Sequence, residues 1–141
     1  MTDSTEGALT PFLTEPHLEI QEIFPDERFP NVVVTPRGTV VATWGAQNLV
    51  VRRSEDGGAS WGPPSAVGHG IHAGGSTVDE GTGDVLFFGH PEHPGKDGAT
   101  TPRTLYRSAD DGVSWSTQEA TFPADERGYV PSLHFCEHGI T

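Results

Sequence analysis

The sequence predicts an all-β chain made of repeated four-stranded antiparallel units, on three observations. First, Ser54-Glu55-Asp56-Gly57-Gly58-Ala59-Ser60-Trp61 and Ser108-Ala109-Asp110-Asp111-Gly112-Val113-Ser114-Trp115 both fit S-x-D-x-G-x-S-W. At average residue usage a chance match at one start point is rarer than roughly one in a million, so two copies mark an internal repeat. Second, the copies lie 54 residues apart, Ser54 to Ser108, which suits one four-stranded unit per repeat. Third, 18 Gly and 12 Pro punctuate short runs of Val and aromatic residues, the pattern of strands joined by tight turns.

Taken in order, residues 1–17 are polar with Pro11 and Pro16 and read as a loose leader. Leu18–Phe24 alternates apolar and polar, the period of a half-buried strand. The first unit, about 29–68, has strands at Asn31–Thr35, Thr39–Trp44, Leu49–Ser54 and Ser65–Val67, with a turn at Pro36-Arg37-Gly38. The second, about 74–123, has strands at Ser76–Val78, Val85–Gly89, Thr104–Ser108 and Glu119–Phe122. Its connections are a turn over 79–83 and a polar loop over 91–102. A further strand is expected over Ser132–Phe135, with another unit starting near 132–141.

Each S-x-D-x-G-x-S-W segment reads as a strand-to-strand turn. Ser54, Asp56 and Ser60, like Ser108, Asp110 and Ser114, carry short oxygen-bearing side chains that bond the backbone of their own turn. Gly58 and Gly112 suit positive φ. Trp61 and Trp115 are expected to fold beneath the turn and bury an apolar face. Asp56 and Asp110 are therefore structural. A calcium loop of the EF-hand kind needs a longer run of oxygen ligands and a distant Glu.

A net charge of −12 argues against nucleic acid or an anionic membrane as partner. The single cysteine, Cys136, cannot form an intrachain disulfide. The first residues lack a basic stretch followed by an apolar one, so the default expectation is a cytoplasmic protein, or a secreted one if the N-terminus is incomplete. No metal or other cofactor is expected. His69-x-x-His72 and His90-x-x-His93 read as solvated loop residues. His134-x-x-Glu137-His138 fits an inverted zincin pattern, but flanking Pro131 and Gly139 argue against the helix that chemistry requires.

The two turns resemble the Asp-box, or BNR repeat, of the sialidase (neuraminidase) superfamily. The resemblance extends to Glu27-Arg28-Phe29-Pro30-Asn31-Val32-Val33-Val34, which is similar to the family's F-R-I-P segment and the strand after it. Thr35–Ala42, Leu49–Ser54 and Asp79–Phe88 resemble the segments that follow, the last matching D-x-x-T-G-x-I-x-L-x. Glu137–Thr141 resembles the start of a later G-I-T-L strand. The resemblance implies a six-bladed sialidase-type β-propeller, of which 18–141 would form about two blades. The chain is then expected to be the N-terminal part of a larger protein, with the remainder of the propeller in the same or another chain.

In that family an arginine triad binds the sialic acid carboxylate, a Tyr–Glu pair is the nucleophile and an Asp is the general acid. The resemblance carries over one residue, Arg28, as the first arginine of the triad. A guanidinium fork suits a planar carboxylate because it donates two parallel charge-assisted bonds. The loop after the second strand departs from the family. It is only Gly45-Ala46-Gln47-Asn48, with neither the second Arg nor the acid. Gln47 and Asn48 can hydrogen-bond a sugar, and His72, near the start of the second unit, is the remaining candidate ligand contact. No catalytic residue is identified. Tyr106, on a strand leading into a turn, reads as core, and Tyr129 is not nominated as nucleophile.

The expected function is a sialidase-like glycoside hydrolase acting on terminal sialic acid or a related acidic sugar, with this chain alone inactive. The alternative, favoured by the missing acid, is a non-catalytic glycan-binding or interaction propeller. The expected partner is a sialoglycan or other acidic carbohydrate.

Overall fold

The computed structural model describes residues 19–25, 28–91 and 103–129. The expected leader, the strand at Ser132–Phe135, the unit start at 132–141, His93, His134, Cys136, Glu137, His138 and most of the 91–102 loop lie outside the described residues.

Eight strands form two four-stranded antiparallel sheets, each a simple meander. The first sheet holds β1 (Asn31–Val34), β2 (Val40–Trp44), β3 (Asn48–Ser54) and β4 (Ser65–His69). The second holds β5 (Ile71–Val78), β6 (Val85–His90), β7 (Arg103–Ser108) and β8 (Ser116–Ala120). In each sheet only neighbours in sequence pair, as connections of three to twelve residues favour. Gly70 alone links β4 to β5, so the chain passes from one sheet to the next at a single residue.

The sheets pack face to face through residues at alternate strand positions. Val33, Val41, Leu49 and Val51 from the first meet Val85, Phe87 and Tyr106 from the second. Val67, Val78 and Trp115 pack against this cluster. Phe87 is its centre, stacked on Tyr106 at 4.9 Å and edge-on to Trp115 at 5.0 Å. Burying side chains of this size contributes about 1.5–3 kcal/mol each. Gly89 is required by the fit: a Cβ there would lie 2.7 Å from Leu49 Cδ1 and 2.8 Å from Tyr106 Cε2. Tyr106 is core, as its strand position suggested.

Three segments differ from the sequence reading. Residues 19–25 form no strand. Phe24 instead stacks on Trp44, and Arg52 Nη1 donates to Ile23 O at 2.7 Å, so this stretch lies over the outer face of the first sheet. Residues 68–75, which lie between the expected strands Ser65–Val67 and Ser76–Val78, instead complete β4 and form the first part of β5 on either side of Gly70. Pairing with β6 overrides the low strand propensity of Gly there, and the misfit shows as a register shift between Ala73 and Thr77. β8 begins at Ser116, before the expected Glu119, although its sequence STQEA has no apolar alternation. It is a largely exposed outer strand held by its ladder to β7.

Candidate functional site

The meander order sets two distinct ends. One carries the β3–β4 and β7–β8 turns. The other carries the starts of β1, β3, β5 and β7 and the ends of β2, β4, β6 and β8.

At the first end the two S-x-D-x-G-x-S-W turns are near copies. Ser54 Oγ donates to Asp56 Oδ1 at 2.7 Å and accepts from Gly58 N at 2.8 Å. Asp56 in turn accepts from Ser60 N at 2.8 Å and Ser60 Oγ at 2.5 Å. Ser108, Asp110, Gly112 and Ser114 repeat the set at 2.8, 2.8, 2.8 and 2.5 Å. The hydroxyl and backbone N–H of Ser60, then Ser54, lower the Asp56 pKa from 3.8 to about 2. Ser114, chiefly, does the same for Asp110, from 3.8 to about 2. These carboxylates stay ionised and bonded within their own turns, which is a structural use. Gly58 and Gly112 take φ of 95° and 83°, as expected. Asp111 also has positive φ, 57°, a conformation that Asp tolerates better than most side chains.

The copies differ in their neighbours. Trp115 Nε1 donates to Gly112 O at 3.2 Å, whereas Trp61 Nε1 has no hydrogen-bond partner. Trp61 O and Gly62 O instead accept from Arg52 at 3.2 and 2.8 Å. The second turn docks on the first sheet: Arg53 Nε donates to Asp111 O at 2.6 Å, and Arg37 Nη1 lies 3.3 Å from Asp111 Oδ2.

At the opposite end, backbone bonds gather the sequence-predicted residues. Gly45 N donates to Arg28 O at 3.2 Å, His72 N to Gly45 O at 2.9 Å and Gly70 N to Gln47 O at 2.7 Å. These three bonds tie the segment before β1, the β2–β3 turn and the β4–β5 link into one rim. Arg28, Gln47 and Asn48 are exposed on it. His72 lies within β5 rather than before it and is 3 % exposed. Its Nε2 is 2.9 Å from Thr43 Oγ1, its ring stacks on Phe87 at 4.9 Å, and Thr43 Oγ1 is 2.7 Å from Ser76 Oγ. His90, at the end of β6, is 1 % exposed. The reading of His72 and His90 as solvated loop residues is thus corrected: strand pairing carries both into the packed interior.

Two features of this end were missed. Arg103, at the start of β7, is 5 % exposed; its Nε donates to His90 Nε2 at 3.2 Å, its guanidinium lies 5.5 Å from the Phe122 ring centroid, and burial lowers its pKa. The sequence signal was its place directly before the expected strand Thr104–Ser108. Phe29 has φ of 62°. A bulky residue in the left-handed region, and one preceding a proline, costs of order 1–3 kcal/mol in backbone strain. Nothing in the sequence announced it. The Arg28 guanidinium lies over the Phe29 ring, 5.0 Å from its centroid.

Among the described residues, no three His, Cys, Asp or Glu side chains come together as a metal site. Also among them, no helix is long and apolar enough to cross a membrane.

No protein-family model matches the chain. A sialidase from Micromonospora viridifaciens is 30 % identical over 144 residues, covering 79 % of this chain. A crystal structure of a Dyadobacter fermentans protein of unknown function superposes with a TM-score of 0.51 over 81 % of this chain, at 20 % identity. That likeness concerns the fold alone. The chain spans 22 % of the sialidase's length and 41 % of the Dyadobacter chain. Over most of its length, then, this chain is similar to a sialidase, and its described part is two antiparallel four-stranded sheets.

Proposed function

We propose that the two sheets are blades of a six-bladed Asp-box propeller, and that the protein is a sialidase-like glycoside hydrolase acting on terminal sialic acid or a related acidic sugar. The observation that carries this reading is the rim: backbone bonds from Gly45, Gly70 and His72 hold Arg28 beside Gln47 in one exposed group. The similarity to a sialidase over 79 % of the chain supports it.

In this reading Arg28 binds the sugar carboxylate. A guanidinium is always charged, and its planar fork fits both carboxylate oxygens, so it selects an acidic sugar over a neutral one. Gln47, exposed on the neighbouring turn, and Asn48, exposed at the start of β3, offer amide donors and acceptors to ring hydroxyls. The Asp56 and Asp110 turns, at the opposite end of the sheets, fix the strands and touch no ligand. The nucleophile, the general acid and the other arginines are assigned to parts of the protein other than the described residues.

A second reading, a non-catalytic glycan-binding or interaction propeller, draws support from the β2–β3 turn. Gly45, Ala46 and Gln47 supply no carboxyl group to protonate a leaving oxygen. Release of a fluorescent phenol from a sialic acid aryl glycoside by the intact protein separates the two. Hydrolysis that falls with Arg28→Ala is expected for the enzyme. Binding of sialic acid without hydrolysis identifies the module. Neither hydrolysis nor binding rules out both.

A further inference from the structure

We infer that Phe29 is a positioning residue for the carboxylate-binding Arg28, and this inference rests on the reading of Arg28 above. In an extended chain successive side chains point to opposite faces. Arg28 and Phe29 do not: φ of 62° at Phe29 breaks the alternation, and the Arg28 guanidinium lies over the Phe29 ring, 5.0 Å from the centroid.

The conformation is doubly disfavoured. Phe is bulky at positive φ, and Pro30 disfavours compact conformations at the residue before it. Such an outlier persists only where its surroundings over-determine it. The surroundings are visible. Arg28 O accepts from Gly45 N on one side, and the chain enters the β1–β2 ladder at Asn31 on the other. Phe29 is thus held between two fixed points, and its ring lies against the exposed Arg28 guanidinium. The ring occupies one side of the guanidinium, and a carboxylate binds N–H groups that the ring does not cover. A long side chain that is already restrained loses less rotamer freedom on binding.

The role predicts a specific loss. Removing the ring weakens binding of a carboxylate and spares binding of the same sugar without its charge. The test is calorimetric titration of the intact protein with N-acetylneuraminic acid and with its methyl ester, at constant salt. Phe29→Ala is expected to lower affinity for the acid roughly two- to fivefold, the size of an exposed cation–π contact, with ester affinity unchanged. Phe29→Tyr, which keeps the ring, is expected to keep the wild-type acid-to-ester ratio. Phe29→Gly suits positive φ and carries the test if the Ala variant fails to fold; it too is expected to lose acid affinity. If Phe29→Ala and Phe29→Gly keep the wild-type ratio while Arg28→Ala abolishes it, Phe29 has no positioning role and the Arg28 reading stands. If Arg28→Ala itself leaves the ratio unchanged, the Arg28 reading fails and this inference falls with it.

Discussion

At the end of the sheets that carries the repeated turns, the serine and aspartate side chains bond within their own eight-residue segment. At the other end the bonds run between segments distant in sequence, and Arg28, Gln47 and Asn48 are left exposed. The first arrangement spends its polar groups on holding strands in place. The second ties the segments bearing Arg28 and Gln47 together through backbone bonds, which leaves those two side chains exposed. Position on a rigid scaffold with free side chains is what a binding site needs, and satisfied side chains are what a structural turn needs.

The largest predicted effect concerns what both ends share. Phe87→Ala removes the centre of the inter-sheet core and is expected to cost about 3–5 kcal/mol, measured by urea unfolding. A loss below about 1 kcal/mol would mean that the sheets do not pack as described.

A smaller effect distinguishes the two turns. At Gly58 a Cβ meets only Trp61 Cζ2, at 3.9 Å, so Gly58→Ala pays for positive φ alone, about 1–2 kcal/mol. At Gly112 a Cβ meets Val41 at 3.2 and 3.3 Å, so Gly112→Ala adds overpacking of about 1 kcal/mol or more. Equal losses at the two positions would show that the second turn does not dock on the first sheet.

The turn aspartates also predict a pH window. Their folded pKa values, about 2, lie below the ordinary 3.8. A depressed carboxylate pKa stabilises the fold above the unfolded value, and that contribution is lost as pH falls through the folded one. The melting temperature is therefore expected to drop between pH 3.8 and about 2 in excess of what other carboxylates cause. Ser60→Ala and Ser114→Ala, which remove the largest cause of each shift, are expected to shrink that drop. A drop of the same size in the double variant would contradict the bonding described.

The smallest effect on stability belongs to the rim. Arg28→Ala is expected to change unfolding free energy by no more than about 0.5 kcal/mol, because Arg28 is exposed and its backbone bond is retained.

The same contrast explains what could be read from the sequence. The turns were legible because Ser54, Asp56, Gly58 and Ser60 find their partners within a few residues, so spacing alone specifies the geometry. The strands were legible from Val-rich runs such as Asn31–Val34. The rim was legible only in part. Arg28 stood out through its Arg-x-Pro context, but the bonds from Gly45 to Arg28 and from Gly70 to Gln47 depend on how strands are placed in space. His72 and His90 were misread for the same reason. Histidines among glycines suggest a loop, and only the pairing of β5 with β6 buries them. The left-handed Phe29 ran against local rules, since both its bulk and Pro30 argue for an extended conformation.

In the proposed reading, the rim holding Arg28 recognises an acidic sugar while the repeated turns serve the fold. Titration of N-acetylneuraminic acid into the intact protein and its Arg28→Ala variant, with the melting temperature of each, tests it most directly. The variant is expected to lose acid binding and to melt as the wild type does. Undiminished binding by a folded variant would contradict it.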